Sequence, residues 1–258
     1  MTGRISLKLL SCVLAVGVAG CASFYEIPIE TPIAAKLDVS AFQRVFIAGF
    51  IAGGTEDVDG NLETVRLLRS QLRMKSGLRV VDADVLPLME VASGRGPEGQ
   101  GAGPAAGPAQ VEPAVVKNEK DLQPYEHIFA DADYWKRIGE EYQNPLIVTG
   151  TVLFTPHSQS GMVQREREVM DRLGRRYIEP VREYMERKGF ILQEKFIFID
   201  GRSGAQIYSE ALREERLYNQ NDNTPALSSY FELMDEIIPR FLSTLSTQRV
   251  RGSRVLIK

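Results

Sequence analysis

The sequence predicts an α/β protein: a single mixed β-sheet packed with helices, as a two-layer or three-layer sandwich. Three observations lead there. The runs "RVFIAGF" (Arg44 to Phe50), "PLIVTGTVLF" (Pro145 to Phe154) and "FIFID" (Phe196 to Asp200) are apolar without alternation, as strands covered on both faces are. Stretches with apolar residues at helical spacing lie between the first two. The C-terminal half then changes to a hairpin signal followed by a helix, which breaks the strand-helix alternation and makes the sheet mixed.

The chain opens on Arg4 and Lys8, then the apolar run Leu9 to Val18, then Ala19 and Gly20. A charged start, an apolar segment of about ten residues and a small-residue cleavage site read as a secretory signal. A spanning helix would need roughly 20 apolar residues. Val18-Ala19-Gly20-Cys21 resembles the lipobox of bacterial lipoproteins. The resemblance implies removal of residues 1–20 and acylation of Cys21, including palmitate. The plainer reading is an ordinary signal peptide cut nearby, which would leave Cys21 as a free thiol in an oxidising compartment. With Cys12 lost and Cys21 blocked, the mature chain has no thiol for a disulfide, a zinc site or catalysis.

The 258 residues are 43% hydrophobic and 25% charged, enough for one good core. Loss of Arg4 and Lys8 takes the formal charge from −3 to −5. That mild acidity argues against a nucleic-acid binder, which carries a basic field, and against a polybasic membrane patch. Membrane contact therefore falls to the lipid.

Residues 21–43, with Pro28 and Pro32 and little periodicity, read as a lipidated, semi-extended tether. A single domain is expected over 44–247. Its first strand, from Arg44, feeds a helix with Leu62, Val65, Leu68 and Leu72 on one face, Asn61 or Asp59 as N-cap and Gly77 past its end. "LRVVDAD" (Leu78 to Asp84) is a second strand and "VLPLMEV" begins another helix. Residues 93–113 hold six glycines and four prolines, a composition that cannot offset its ordering entropy, so 93–118 is expected to be a disordered insertion. Ile128, Ala132, Trp135, Ile138 and Tyr142 repeat at helical spacing.

In the strand from Pro145, Gly150 marks a bulge or a close approach. Asp200 to Gly204 form a hairpin turn with glycines where positive φ is needed. The last helix is expected to open at Thr224 as N-cap with Pro225 first, to line up Leu227, Phe231, Met234, Ile238, Phe241 and Leu245, and to kink at Pro239. Residues 248–258 are a tail or a short edge strand.

"RVFIAGF", "LRVVDADVL", "PLIVTGTV" and "FIFIDGRSGAQIYSE" together resemble a group of periplasmic lipoprotein domains. The group comprises the curli secretion lipoprotein, the penicillin-binding-protein activator lipoproteins and the N-terminal domain of TolB. The resemblance implies a small α/β sandwich over roughly 44–92 and 120–247. The glycine-proline insertion and the charged segment 155–188 depart from it.

Catalytic patterns are scarce. "AGFIAGGTEDVDG" sits where phosphate loops lie but fits neither GxGxxG nor GxxxxGK. Glu56, Asp57 and Asp59 fall short of a calcium loop and are explained as helix caps. His127 and His157, the only histidines, are not at i+3 or i+4 from one another and so cannot form a zinc pair on one helix, and no serine sits in a GxSxG elbow. Tyr230, Phe231, Phe241 and Trp135 fall at core spacing. No catalytic residue, metal or cofactor is expected, and the protein is read as a non-enzyme.

One segment stands apart. Arg165 to Lys188 carries eight basic and six acidic residues. It is either a solvated face or a protruding arm for protein contact, because arginine and tyrosine concentrate at interface hot spots and Arg175, Arg176, Tyr177, Arg182 and Tyr184 cluster here. Dense mixed charge excludes a membrane-inserted hairpin, which needs about 9 to 11 residues of apolar-out alternation per strand. The expectation is a lipid-anchored protein on the periplasmic side of the envelope that binds another envelope protein. The alternative is a self-assembling secretion-linked or structural subunit, hence a homo-oligomer. Ala22, in place of the aspartate that retains lipoproteins at the inner membrane of enteric bacteria, favours the outer membrane.

Overall fold

The computed structural model describes residues 24–94, 116–219, 222 and 224–257. The signal segment, Cys21 and the core of the glycine-proline insertion lie outside them. In chain order the elements are β1 (Phe24–Ile33), β2 (Arg44–Gly54), α1 (Gly60–Lys75), β3 (Arg79–Val80), α2 (Leu88–Ala92) and α3 (Glu119–Leu122). A 3-10 helix (Gln123–Ala130) follows, then α4 (Ala132–Glu141), β4 (Leu146–Met170), β5 (Arg176–Asp200), β6 (Gln206–Asn219), α5 (Ala226–Leu245) and β7 (Gln248–Ile257).

The chain divides into two compact units. In the smaller, β1 and β7 form an antiparallel two-stranded sheet running from Phe24 opposite Ile257 to Ile33 opposite Gln248. Glu30 and Arg251 pair across it at 2.8 Å. Within the stretch expected to be a semi-extended tether, Phe24–Ile33 is thus a strand, and its partner is the C-terminal segment. The alternation of Ile27, Ile29, Thr31 and Ile33 along one face provides the strand period.

The larger unit, residues 36–246, holds the mixed sheet in the order β3-β2-β4-β5-β6. β2 runs parallel to β3 and β4, whereas β4, β5 and β6 are antiparallel. Helices cover both faces, giving the three-layer form of the expected sandwich. Val45, Ile47, Val148, Val152, Phe196 and Phe198 point into one core with α1 and α5. Phe46, Ile51, Ile147, Leu153, Ile197 and Ile199 point into the other, with α2, the 3-10 helix and α4. Continuous apolar runs in β2, β4 and β5 follow from this double burial. The apolar runs "LIVTGTV" of β4 and "FIFID" of β5 lie side by side, with Val148 opposite Phe198.

Asp59 is the N-cap of α1, its carboxylate accepting from the Leu62 N–H at 3.0 Å. Asn61 accepts instead from the Phe50 N–H at 2.8 Å and holds the preceding loop. Several expectations are corrected. The second strand shrinks to Arg79–Val80, beyond which, among the described residues, only the N–H groups of Val81 and Leu86 still donate to β2 carbonyls, at Val45 and Ala48. The stripe from Ile128 to Tyr142 is two helices, since Asp131 caps α4 by accepting from the Tyr134 N–H and so breaks the run. Order resumes within the expected insertion: Val116 is buried and its carbonyl accepts from Gly54 at 2.7 Å.

Gly150 marks a close approach, with φ at 148° and the space for a Cβ only 1.7 Å from the Lys195 carbonyl oxygen. The bulge lies in β2, between Ile47 and Gly49. α5 begins at Ala226 with Pro225 as N-cap and runs unbroken through Pro239. Its buried stripe includes Tyr230, Leu233 and Ile237, while Leu227 and Phe231 are exposed.

Candidate functional site

β4 and β5 are each 25 residues long, more than twice what the helices cover. Up to Phe154, β4 is apolar on both faces. From Thr155 the sequence turns to "TPHSQSGMVQRERE", and the two strands leave the sandwich together. β2 stops pairing with β4 at Phe154, and β6 stops pairing with β5 at Arg187. Beyond these points the pair continues alone as a ribbon, from Ser160 opposite Glu186 to Met170 opposite Arg176. Eleven residues per strand at about 3.4 Å each make an arm of roughly 35 Å.

The tip is closed by Asp171, whose carboxylate accepts from the N–H groups of Leu173 and Arg175 at 2.8 and 2.9 Å. The Arg175 guanidinium lies 2.8 Å from the same carboxylate. These hydrogen bonds, Arg175 first, hold the Asp171 carboxyl below the usual carboxylate range. Gly174, at φ 77°, supplies the left-handed residue of the turn. Ion pairs along the shaft are loose and exposed: Arg176 with Glu168 at 3.4 Å and Arg165 with Glu183 at 4.0 Å. Pairs of this kind contribute little to stability.

The ribbon places the five expected contact residues unequally. Arg176, Arg182 and Tyr184 project from one face, because even-numbered residues of both strands share it. Tyr177 lies on the opposite face, beside Val169, and Arg175 is engaged in the turn. Sequence reasoning missed the apolar members of the first face. Met162 stands opposite Tyr184, and Met162, Met170, Ile178 and Tyr184 are 62 to 65% exposed. Leu173 at the tip is 78% exposed. The period of two that unites them was present in the sequence but hidden by the surrounding charge.

Elsewhere several polar groups are accounted for locally, although Arg69 Nε and Gln71 Oε1 are buried without a hydrogen-bond partner among the described residues. Lys195 is held by both oxygens of Glu126, at 3.0 and 2.9 Å, in a groove of about 360 Å³ beside Arg213 and Leu153. The Thr55 hydroxyl donates to Asp57 at 2.8 Å. His127 lies 2.9 Å from the Pro124 carbonyl, and His157 lies 3.4 Å from Glu215. Among the described residues no group of three histidines, cysteines or acids is placed to hold a metal ion, and no helix is long and apolar enough to cross a membrane.

The chemically unusual group is Glu194. It is 1% exposed beneath α1 and α5. The Thr64 hydroxyl lies 3.4 Å from Oε1, and among the described residues Oε2 has no hydrogen-bond partner. Tyr230 contacts Thr64 and donates to the Gly60 carbonyl at 3.1 Å. Burial pushes the Glu194 carboxyl up to about 8.

The chain matches no family model and no curated protein. Solved structures similar to it include two of low identity. One is the lipoprotein GNA1162 from Neisseria meningitidis, at 12% identity, covering 77% of this chain and 97% of that one, with a TM-score of 0.33. The other is a neuraminyllactose-binding hemagglutinin homologue from Helicobacter pylori, at 9% identity, covering 83% and 96%, with a TM-score of 0.28.

Proposed function

We propose that this chain is a non-enzymatic protein of the bacterial envelope, anchored by lipid on Cys21 at the periplasmic side of the outer membrane, whose β4-β5 arm binds another envelope protein. The observation that carries the reading is the arm itself. It extends past every neighbouring strand, contributes no buried residue between Gln159 and Lys188, and sets exposed Met162, Met170, Ile178 and Tyr184 beside Arg176 and Arg182. Large apolar and aromatic side chains among arginines are the composition of binding hot spots, and the fold does not need them for its own packing. The lipobox-like Val18 to Cys21 supports the anchor.

The test replaces Arg176, Ile178, Arg182 and Tyr184, which share one face of the arm, by alanine and compares the variant with the parent by envelope cross-linking and thermal melting. The expected result is an unchanged melting temperature with loss of at least one cross-linked species, each truncation weakening binding by about 1 to 4 kcal/mol. A variant that folds and keeps every cross-link would overturn the assignment of the arm. Cys21→Ser in parallel reports the anchor: the protein should leave the membrane fraction, and an unchanged fraction would refute lipidation at that residue.

A further inference from the structure

The two edges of the mixed sheet are treated differently. At one, β3 pairs over only two residues. At the other, β6 is regular from Tyr208 to Asn219, and among the described residues no backbone group of another element pairs with its outer side. A long, bare strand edge is a template for another strand, and proteins ordinarily blunt such edges with proline, charged side chains (lysine above all), bulges or cover. The outer edge of the arm carries Pro180 in β5. β6, "QIYSEALREERLYN", has no proline, lysine or glycine, and its one irregularity lies at its start, opposite Phe198 and Ile199.

The charges of β6 divide by face. On the side covered by α5, Glu210 accepts from the Thr244 hydroxyl at 2.8 Å, Glu214 pairs with Arg240 at 2.6 Å and Arg216 with Glu232 at 3.1 Å. On the other side, Arg213 makes no ion pair among the described residues, and Glu215 meets only His157 at 3.4 Å.

We propose that two copies of this chain join edge to edge through β6, in antiparallel register with Glu214 opposite itself, so that one sheet runs across the pair. A two-fold axis normal to the sheet keeps each face on its own side, so every residue must oppose one of the same parity. Only a register centred on a residue meets that condition. The only acid of β6 on the face of Arg213 is Glu215, and Arg213 opposes Glu215 in one such register alone, the one centred on Glu214. That register forms the Arg213–Glu215 pair twice, and Arg240 on each copy compensates the two facing Glu214 carboxylates. Ala211 then meets Leu217, and Ser209 meets Asn219. This surface is separate from the arm and stands whether or not the arm binds a partner.

The experiment uses the full chain in detergent with Cys12 and Cys21 changed to serine. Sedimentation equilibrium should show a concentration-dependent dimer. Arg213→Glu should weaken it by about tenfold or more, and Arg213→Glu with Glu215→Arg should restore it, because opposed like charges destabilise a strand pair and opposite ones stabilise it. Glu214→Cys should give an oxidised dimer, since directly opposed Cβ atoms lie about 4.5 to 5.5 Å apart. Tyr218→Cys, which opposes Glu210, should not. A parent that stays monomeric, a charge reversal without effect, or equal cross-linking at 214 and 218 would each overturn the proposal.

Discussion

Glu194 shows how one side chain can work against the fold that contains it. Its strand neighbours on the same face, Leu192 and Phe196, are apolar, and the groups facing it from α1 and α5 are Thr64 and Tyr230, with Asp59 and Glu63 acting on that phenol from farther off. Among the described residues no cation pairs with it to offset the lost hydration, so the neutral acid is favoured. The folded carboxyl at about 8 lies above the ordinary value of 4.5, so the native state holds a proton that the unfolded chain has released. Stability therefore falls as pH rises from about 4.5 to about 8, by roughly 1.4 kcal/mol for each pH unit at most, and levels off above. Glu194→Gln removes the titration without changing shape. Urea melts should show the variant roughly 1 to 3 kcal/mol more stable than the parent at pH 8 and little different at pH 5. An equal difference at both pH values would show that the carboxyl does not carry the effect.

At the scale of elements, the arm and the sandwich are one pair of strands under two regimes. Between Leu146 and Phe154 both faces of β4 are buried, and between Gln159 and Met170 none of its residues is. The arm thus owes its form to cross-strand pairing and the Asp171 turn, and the sandwich owes nothing to the arm. Replacing residues 161–185 by an Asn-Gly turn, which suits a two-residue hairpin, should leave the melting temperature within a few degrees of the parent. A large drop would mean that the arm packs against the sandwich and is not a free projection.

At the scale of the molecule, the two cores share the central strands, so neither can open alone. Val148 is fully buried on the α1 and α5 side, whereas Trp135 is fully buried on the other, its indole N–H donating to the Ile128 carbonyl at 2.8 Å. Val148→Asp places an unpaired charge in the first core at a cost of several kcal/mol. The expected outcome is loss of the whole 36–246 unit, read as a red shift of Trp135 emission that coincides with loss of far-ultraviolet circular dichroism. Retention of the native Trp135 emission would show two independent cores. Gly150 enforces the same unity, because a Cβ there would collide with the Lys195 carbonyl and part β4 from β5.

Sequence alone determined the mixed sheet, a cap for α1 at Asp59 or Asn61, the hairpin at Asp200 and the burial of the two most apolar strands on both faces. In each of these, local chemistry and burial pattern point the same way: Val148 and Phe198 have apolar neighbours on both faces, and Asp59 stands where a cap belongs. The charge of residues 165–188 was equally visible, and it marked a surface, although charge density does not distinguish a helix from a ribbon. Tertiary structure decided the rest, because pairing partners far apart in sequence leave no local trace. The tether became β1 only through residues 248–257, the apolar face of the arm emerged only when Met162 met Tyr184, and the bare edge of β6 exists only because no other described strand reaches it. Glu194 lay in the middle of "ILQEKFIF" like any solvent-facing residue of an alternating strand. Its burial follows from α1 and α5 crossing that face of the sheet, a packing that no short window of sequence encodes.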